Sequence, residues 1–117
     1  MADLPRMPTV VAVRKAPDAV EIDLEIRPDL FWFQGHFPDF PILPGVVQLD
    51  WALDFARRSL RLDIPAARQF QVKYKSGVFP GDRLTLKLSH RAEKNRLSFE
   101  YVRGETICSS GQISLAP

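Results

Sequence analysis

Two side chains of this 117-residue chain combine proton chemistry with an apolar setting: His36 and Asp50. His36 lies in Leu30-Phe-Trp-Phe-Gln-Gly-His-Phe-Pro-Asp-Phe-Pro-Ile-Leu-Pro44, which holds five of the chain's twelve aromatic residues and three of its ten prolines. Asp50 follows fourteen positions later, among Val46, Leu49, Trp51 and Leu53, where the pattern calls for carbon. An unpaired carboxylate in such a place is costly, so it needs a partner or a protonated state. Singly, each residue reads as structural: a histidine bonded to backbone, and an aspartate bonded or paired to an arginine. Together they supply a base and an acid of different intrinsic strength, the minimum for proton abstraction coupled to protonation of a leaving group. Between them, Pro44-Gly45-Val46 starts a helical pattern with no Ser, Thr, Asp or Asn at the boundary. Its first N–H groups are left for another acceptor, and the helix dipole favours one gaining negative charge. Base, acid and oxyanion donors suit removal of a proton α to a carbonyl with loss of a β-substituent.

These groups need elements to hold them. The proline spacing excludes a regular helix or central strand over residues 30–44, leaving a stiff, apolar loop that must lie against something. From Gly45, Val46, Leu49, Leu53, Ala56 and Leu60 recur at helical steps, with Val47, Trp51 and Phe55 on a second side. That pattern predicts a helix buried nearly all round for its first three turns. Arg57, Arg58 and Arg61 suit the dipole at its end. Ahead of the loop, Val10, Val11 and Val13 form a β-branched patch, and Val20, Ile22, Leu24 and Ile26 alternate with Glu21, Asp23, Glu25 and Arg27. Four more strands follow the helix, carrying Phe70, Val72 and Tyr74; Leu84, Leu86 and Leu88; Leu97, Phe99 and Tyr101; and Ile107, Ile113 and Leu115. Consecutive hairpins with one apolar face describe an antiparallel sheet, and the one long buried helix is its only available cover. The predicted class is α+β: a curved antiparallel sheet wrapped around a single central helix.

Length and composition fit this picture. The chain suits one domain over residues 1–117, with residues 1–8 expected to be flexible. At 45% hydrophobic and 26% charged it is not disordered, and no apolar run approaches a membrane span. The start lacks a secretory apolar segment, and the single cysteine, Cys108, excludes an intrachain disulfide and a cysteine metal cluster. A reduced, cytoplasmic setting is expected. Cys108 reads as a small packing residue and His90 as a surface one. No phosphate loop, metal-ligand spacing or nucleic-acid motif appears. The net charge of +2 divides unevenly, −5 over residues 1–56 and +7 over residues 57–117.

The run Phe33-Gln-Gly-His-Phe-Pro-Asp-Phe-Pro-Ile-Leu-Pro-Gly-Val46, with an acid fourteen positions after its histidine, resembles the bacterial 3-hydroxyacyl-[acyl-carrier-protein] dehydratases. Lys73-Tyr-Lys-Ser-Gly-Val-Phe-Pro-Gly-Asp-Arg-Leu84 extends the likeness, which spans roughly residues 10–115. Gln48-Leu-Asp-Trp51 is more similar to the small dehydratases of aryl-polyene pigment clusters than to the housekeeping fatty-acid enzyme. The resemblance implies the hot-dog fold and no cofactor beyond the phosphopantetheine arm that carries the substrate. It implies His36 as the base that removes the C2 proton and Asp50 as the group that protonates or holds the departing 3-hydroxyl. The amides of Gly45 and Val46 would polarise the thioester carbonyl, and Phe33, Phe37 and Phe40 would help line an acyl tunnel. In that family the histidine and acid of one site come from different subunits, implying a homodimer or larger homo-oligomer.

Three departures stand out. The acid is Asp50, where the most widespread members use glutamate. Asp39 replaces a glycine common after His-Phe-Pro. Asp54 stands one turn after Asp50, a like charge unless Arg57 or Arg58 neutralises it. Two other functions remain open: thioester hydrolysis, since hot-dog thioesterases also place an acid on the central helix, and a non-catalytic acyl-binding or partner subunit. Because acyl carrier proteins are acidic, the basic half suggests a docking surface among Arg57, Arg58, Arg61, Arg68, Lys73 and Lys75, with the acidic strand at residues 21–25 facing elsewhere.

Overall fold

The computed structural model describes residues 4–37, 39–64 and 69–115. Strand β1 (Thr9–Ala16) leads into β2 (Ala19–Glu25), and a short 3-10 turn (Phe31–Phe33) opens the aromatic loop. Helix α1 (Gly45–Ser59) follows, then β3 (Gln69–Tyr74), β4 (Arg83–Arg91), β5 (Arg96–Arg103) and β6 (Thr106–Ser114). The six strands form one antiparallel sheet in the order β1-β2-β4-β5-β6-β3. With α1 against its inner face, this is the expected α+β, hot-dog arrangement.

The period-2 pattern explains the register. Val20, Leu88, Phe99, Gly111 and Val72 pair across β2, β4, β5, β6 and β3, and Ile22, Leu86, Tyr101, Ser109 and Tyr74 form the next row. These residues share the inner face, and all but Gly111 and those of β3 are buried against the helix or its neighbours. Gly111 is small for a reason: a Cβ there would run into the Phe99 ring and the Gln71 carbonyl. From the helix, Val47, Leu49, Trp51, Ala52, Leu53, Phe55 and Ala56 complete the core. Fully burying one such aliphatic or aromatic side chain contributes about 1.5–3 kcal/mol. On the outer face of β2, Asp23 accepts a two-pronged Arg14 hydrogen bond, 2.8 Å on each branch, and Glu21 joins at 3.3 Å. The Arg14 guanidinium, with the Thr85 hydroxyl, lowers the Asp23 carboxyl from 3.8 to about 2. The acidic strand thus faces away from the helix.

Three details go beyond the expectations. First, within the lead over residues 1–8, Pro5 and Arg6 are hydrogen-bonded to the loop and the helix. The Pro5 carbonyl accepts from Phe31 N at 2.8 Å. The Arg6 carbonyl accepts from the indoles of Trp32 at 2.7 Å and Trp51 at 3.0 Å. Second, the helix is not buried all round: Val46 is 72% exposed and Asp50 is exposed on the same face one turn later. Third, Phe70 and Tyr74 point to the inner face as the alternation requires but stand about half exposed, because β3 ends the sheet and of α1 only its first residue, Gly45, packs on Tyr74.

Candidate active site

The helix start is built by proline and glycine. Pro44 occupies the N-cap with φ −59° and ψ 141°, and no side chain caps the helix. Its carbonyl takes the amides of Val47 and Gln48. Among the described residues no acceptor meets the N–H of Gly45 or Val46, as the uncapped sequence led one to expect. Gly45 has a steric duty as well. The Tyr74 ring lies on its Cα, so that an added Cβ would be 2.6 Å from Tyr74 Cζ. The Tyr74 hydroxyl donates to the Gly45 carbonyl at 2.7 Å. Burial pushes this phenol upward from its ordinary value, which keeps it a neutral donor.

The aromatic loop presents His36 beside this helix start. Gly35 turns the chain with φ 75°, the left-handed region that glycine enters without strain. Ile42 N then donates to the His36 carbonyl at 2.9 Å, and His36 Nδ1 lies 3.1 Å from the Ile42 carbonyl. A carbonyl only accepts, so Nδ1 carries the proton and Nε2 keeps a free lone pair in the neutral ring. The Phe37 ring stacks on the imidazole at 4.3 Å. Such a ring is a base with its tautomer and plane already fixed.

His36, Phe37, Ile42, Leu43, Gly45, Gln48, Tyr74, Lys75, Ser76 and Gly77 line one groove of about 420 Å³. Its far wall is held by Arg103, whose guanidinium donates to the Gly77 carbonyl (2.9 Å), Asp82 (3.0 Å) and the Ser76 hydroxyl (3.0 Å). Asp82 in turn accepts from Phe79 N at 2.8 Å. Leu43 N donates to the Val78 carbonyl at 2.8 Å, tying this wall to the histidine loop.

The sequence-derived candidates therefore separate. His36, Gly45, Phe37 and Lys75 meet in the groove. Asp50 is not among its lining residues; the expected buried carboxylate instead stands on the open face of α1 with Val46. The periodicity failed here because Leu49, Trp51 and Leu53, beside Asp50 in sequence, turn into the core while Asp50 projects from the other side of the helix with Val46. Asp54 is paired by Arg58 at 2.5 Å, which offsets its repulsion of Asp50. Phe33 is buried and lines a separate cleft with Leu4, Pro28 and Pro41, while Phe40 is 62% exposed and meets Phe79 edge-on at 5.4 Å.

Of the basic candidates, Arg57, Arg61 and Lys75 are exposed, and Arg58 is engaged by Asp54. Lys73 lies on the outer face of the sheet with Glu21, Lys87 and Glu100, opposite to the groove side of β3. Arg68 lies outside the described residues. Cys108 is buried, and burial pushes its thiol upward, in keeping with a packing role. His90 meets Asn95 at 3.1 Å away from the groove. Sequence reasoning passed over Gln48, Tyr74 and Arg103 as site residues. Among the described residues no cluster of metal-ligating side chains is found, and no helix is long and apolar enough to cross a membrane.

Comparison with known proteins places this geometry in context. The sequence model of the ApeI-like family, described as ApeI dehydratase, matches residues 12–112. The chain is similar to the 3-hydroxyacyl-[acyl-carrier-protein] dehydratase FabZ of Sorangium cellulosum, 36% identical over 96 residues. That alignment takes in 70% of this chain but 61% of the relative, so the chain spans about three-fifths of that protein's length. Among solved structures, the dehydratase heterocomplex ApeI:P from Xenorhabdus doucetiae matches with a TM-score of 0.86 at 33% identity, covering 95% of this chain and 99% of that one. An uncharacterized protein from Erwinia carotovora subsp. atroseptica matches with a TM-score of 0.75 at 38% identity, covering 95% and 97%.

Proposed function

Because this chain belongs to the ApeI-like dehydratase family, we propose that it dehydrates a 3-hydroxyacyl thioester, held on an acyl carrier protein, to the 2-enoyl thioester in fatty-acid or polyene-type biosynthesis. One observation carries the reading. His36 is fixed as a base through Nδ1 on the Ile42 carbonyl, in the same groove as a helix start whose Gly45 amide has no protein acceptor among the described residues.

The thioester carbonyl accepts from the Gly45 and Val46 amides, which stabilise the negative charge the oxygen gains. His36 Nε2 takes the C2 proton; the electrons of the C2–H bond form the C2–C3 double bond, and the C3–O bond breaks. Asp50 gives the leaving hydroxyl a proton, directly or through a water, so that it departs as water. Asp50 lies outside the groove of its own chain, on an exposed helix face flanked by Val46. On this reading the acid serving one His36 comes from a second subunit, and the smallest active unit is a homodimer. The half-exposed Phe70 and Tyr74 on the terminal strand β3 supply apolar surface for that contact. A second reading, favoured by the heterocomplex in which the Xenorhabdus relative was solved, makes the partner an unlike dehydratase subunit. In both readings Phe37 and Phe40 line the acyl path. Arg57, Arg61 and Lys75 meet the acidic carrier, and the prosthetic arm enters past Lys75.

The test is complementation. His36→Ala should abolish enoyl formation and Asp50→Asn should remove most of it, each with the melting transition intact. Mixed after unfolding and refolding together, the two variants restore roughly a quarter of wild-type turnover if each site draws on two like chains. No restoration in the mixture would exclude the shared homodimeric site, and an active His36→Ala would exclude the chemistry.

A further inference from the structure

Gln48 is a polar side chain in a core position. It is 3% exposed, and with Ser109 it forms the buried polar set among the described residues. Its neighbours on the helix, Val47 and Leu49, are apolar and buried. An aliphatic residue would fill this place without the cost of desolvating an amide. The amide is nevertheless held in one orientation. Gln48 Oε1 accepts the Ser109 hydroxyl at 2.7 Å, and Nε2 faces the Leu43 carbonyl at 3.5 Å, the outer limit of a hydrogen bond. The opposite orientation would set two oxygens against each other, so Nε2 is the atom turned toward Leu43. The Tyr101 hydroxyl braces the same turn by donating to the Gln48 carbonyl at 2.6 Å. Nε2 carries two hydrogens. One makes the long contact to Leu43, and the other meets no acceptor among the described residues. Gln48 and Leu43 both line the His36 groove, with Gly45 between them in sequence.

Resting on the dehydratase reading, we propose that Gln48 Nε2 is a third hydrogen-bond donor to the substrate's thioester carbonyl oxygen, beside the amides of Gly45 and Val46. The chemistry favours such a donor. As the C2 proton leaves, that oxygen gains enolate charge and takes up further donors. A neutral amide already oriented by the Ser109 hydroxyl, on a turn braced by Tyr101, needs no reorganisation to supply one. The carbonyl oxygen carries more negative charge as the proton leaves than in the bound substrate, so the interaction strengthens toward the transition state.

The experiment follows both rate and carbonyl polarisation. Turnover is measured with 3-hydroxybutyryl-pantetheine, and the infrared carbonyl band is followed for bound crotonyl-pantetheine carrying ¹³C at the carbonyl. Gln48→Leu should lower kcat by roughly 10- to 100-fold with KM little changed, and should return the carbonyl band part of the way to its free position. The double variant Gln48→Leu, Ser109→Ala also removes the hydroxyl left without a partner, and it should behave the same. Folded variants with unchanged kcat and an unchanged band would overturn the proposal. Failure of both variants to fold would do so too, assigning Gln48 to the core. A wild-type protein that binds the probe without shifting its band would overturn the whole carbonyl site, Gln48 included. A wild-type protein that shifts the band but forms no enoyl product would leave Gln48 as a donor and sink the dehydratase reading alone.

Discussion

Replacing Gly45 by alanine drives a methyl group into the Tyr74 ring. The new Cβ would stand 2.6, 2.8 and 3.0 Å from Tyr74 Cζ, Cε1 and Cε2. Carbon atoms rest at about 3.5–4.0 Å, so the ring has to withdraw by about 1 Å. It is half exposed and free to swing toward solvent, which puts the strain at the low end of the 1–3 kcal/mol typical of overpacking. Withdrawal also breaks the Tyr74 hydroxyl bond to the Gly45 carbonyl, worth about 1 kcal/mol. The expected destabilisation of Gly45→Ala is about 1–2 kcal/mol. Because Gly45 carries one of the amides assigned to the substrate carbonyl, displacing it should cost on the order of 10²-fold in kcat. The assay is a double-mutant cycle in urea with Tyr74→Ala. Once the ring is gone the methyl group has space, so Gly45→Ala should cost almost nothing more, a coupling of about 1–2 kcal/mol. Additivity within about 0.5 kcal/mol would refute the idea that this glycine is required by the ring above it.

Arg103→Ala should loosen the wall formed by Ser76, Gly77 and Asp82. Hydrogen exchange over residues 76–82 should rise and KM increase by roughly tenfold, whereas Arg103→Lys, which keeps the charge without the fork, should recover only part of this. The Asp23 carboxyl is lowered in the fold, so its contribution is complete above 3.8 and is lost as pH falls through about 2. In urea titrations the gap between wild type and Asp23→Asn should therefore close over that interval; a gap that widened with acid would contradict the Arg14 pairing. Added salt should slow turnover of the carrier-bound substrate and spare a pantetheine substrate. Equal effects on both would return Arg57, Arg61 and Lys75 to ordinary solvated charge.

What was legible in the sequence was whatever is periodic or local. Alternation in β2, β4 and β5 gave strand faces directly, the three prolines of residues 30–44 gave a stiff loop, and Pro44-Gly45 gave an uncapped helix start that the structure retains. The site residues that escaped notice act across long sequence separations. Tyr74 reaches Gly45 over 29 positions, Ser109 reaches Gln48 over 61, and Arg103 reaches Gly77 over 26. No local pattern encodes such contacts; they exist only once β3, β5 and β6 have paired. Asp50 shows the complementary limit. Its apolar neighbours were read as a core, although one side of that helix faces outward in the single chain.

The tethering of residues 5 and 6 has a similar origin. Nothing in Pro5-Arg6 predicts a partner, but one carbonyl satisfies two indole N–H groups, from the loop and from the helix. That contact joins the segment bearing His36 to the residue beside Asp50. It helps to set the position of the helix relative to the loop.

The central claim, that this site removes water from a carrier-bound 3-hydroxyacyl group, is tested most directly by intact-mass spectrometry. A 3-hydroxyacyl-carrier protein is incubated with the wild-type protein and with His36→Ala. The account predicts loss of one water from the acyl-carrier species with the wild type and no change with the variant. Release of the free carrier thiol would establish hydrolysis instead, and an unchanged mass with the wild type would contradict catalysis altogether.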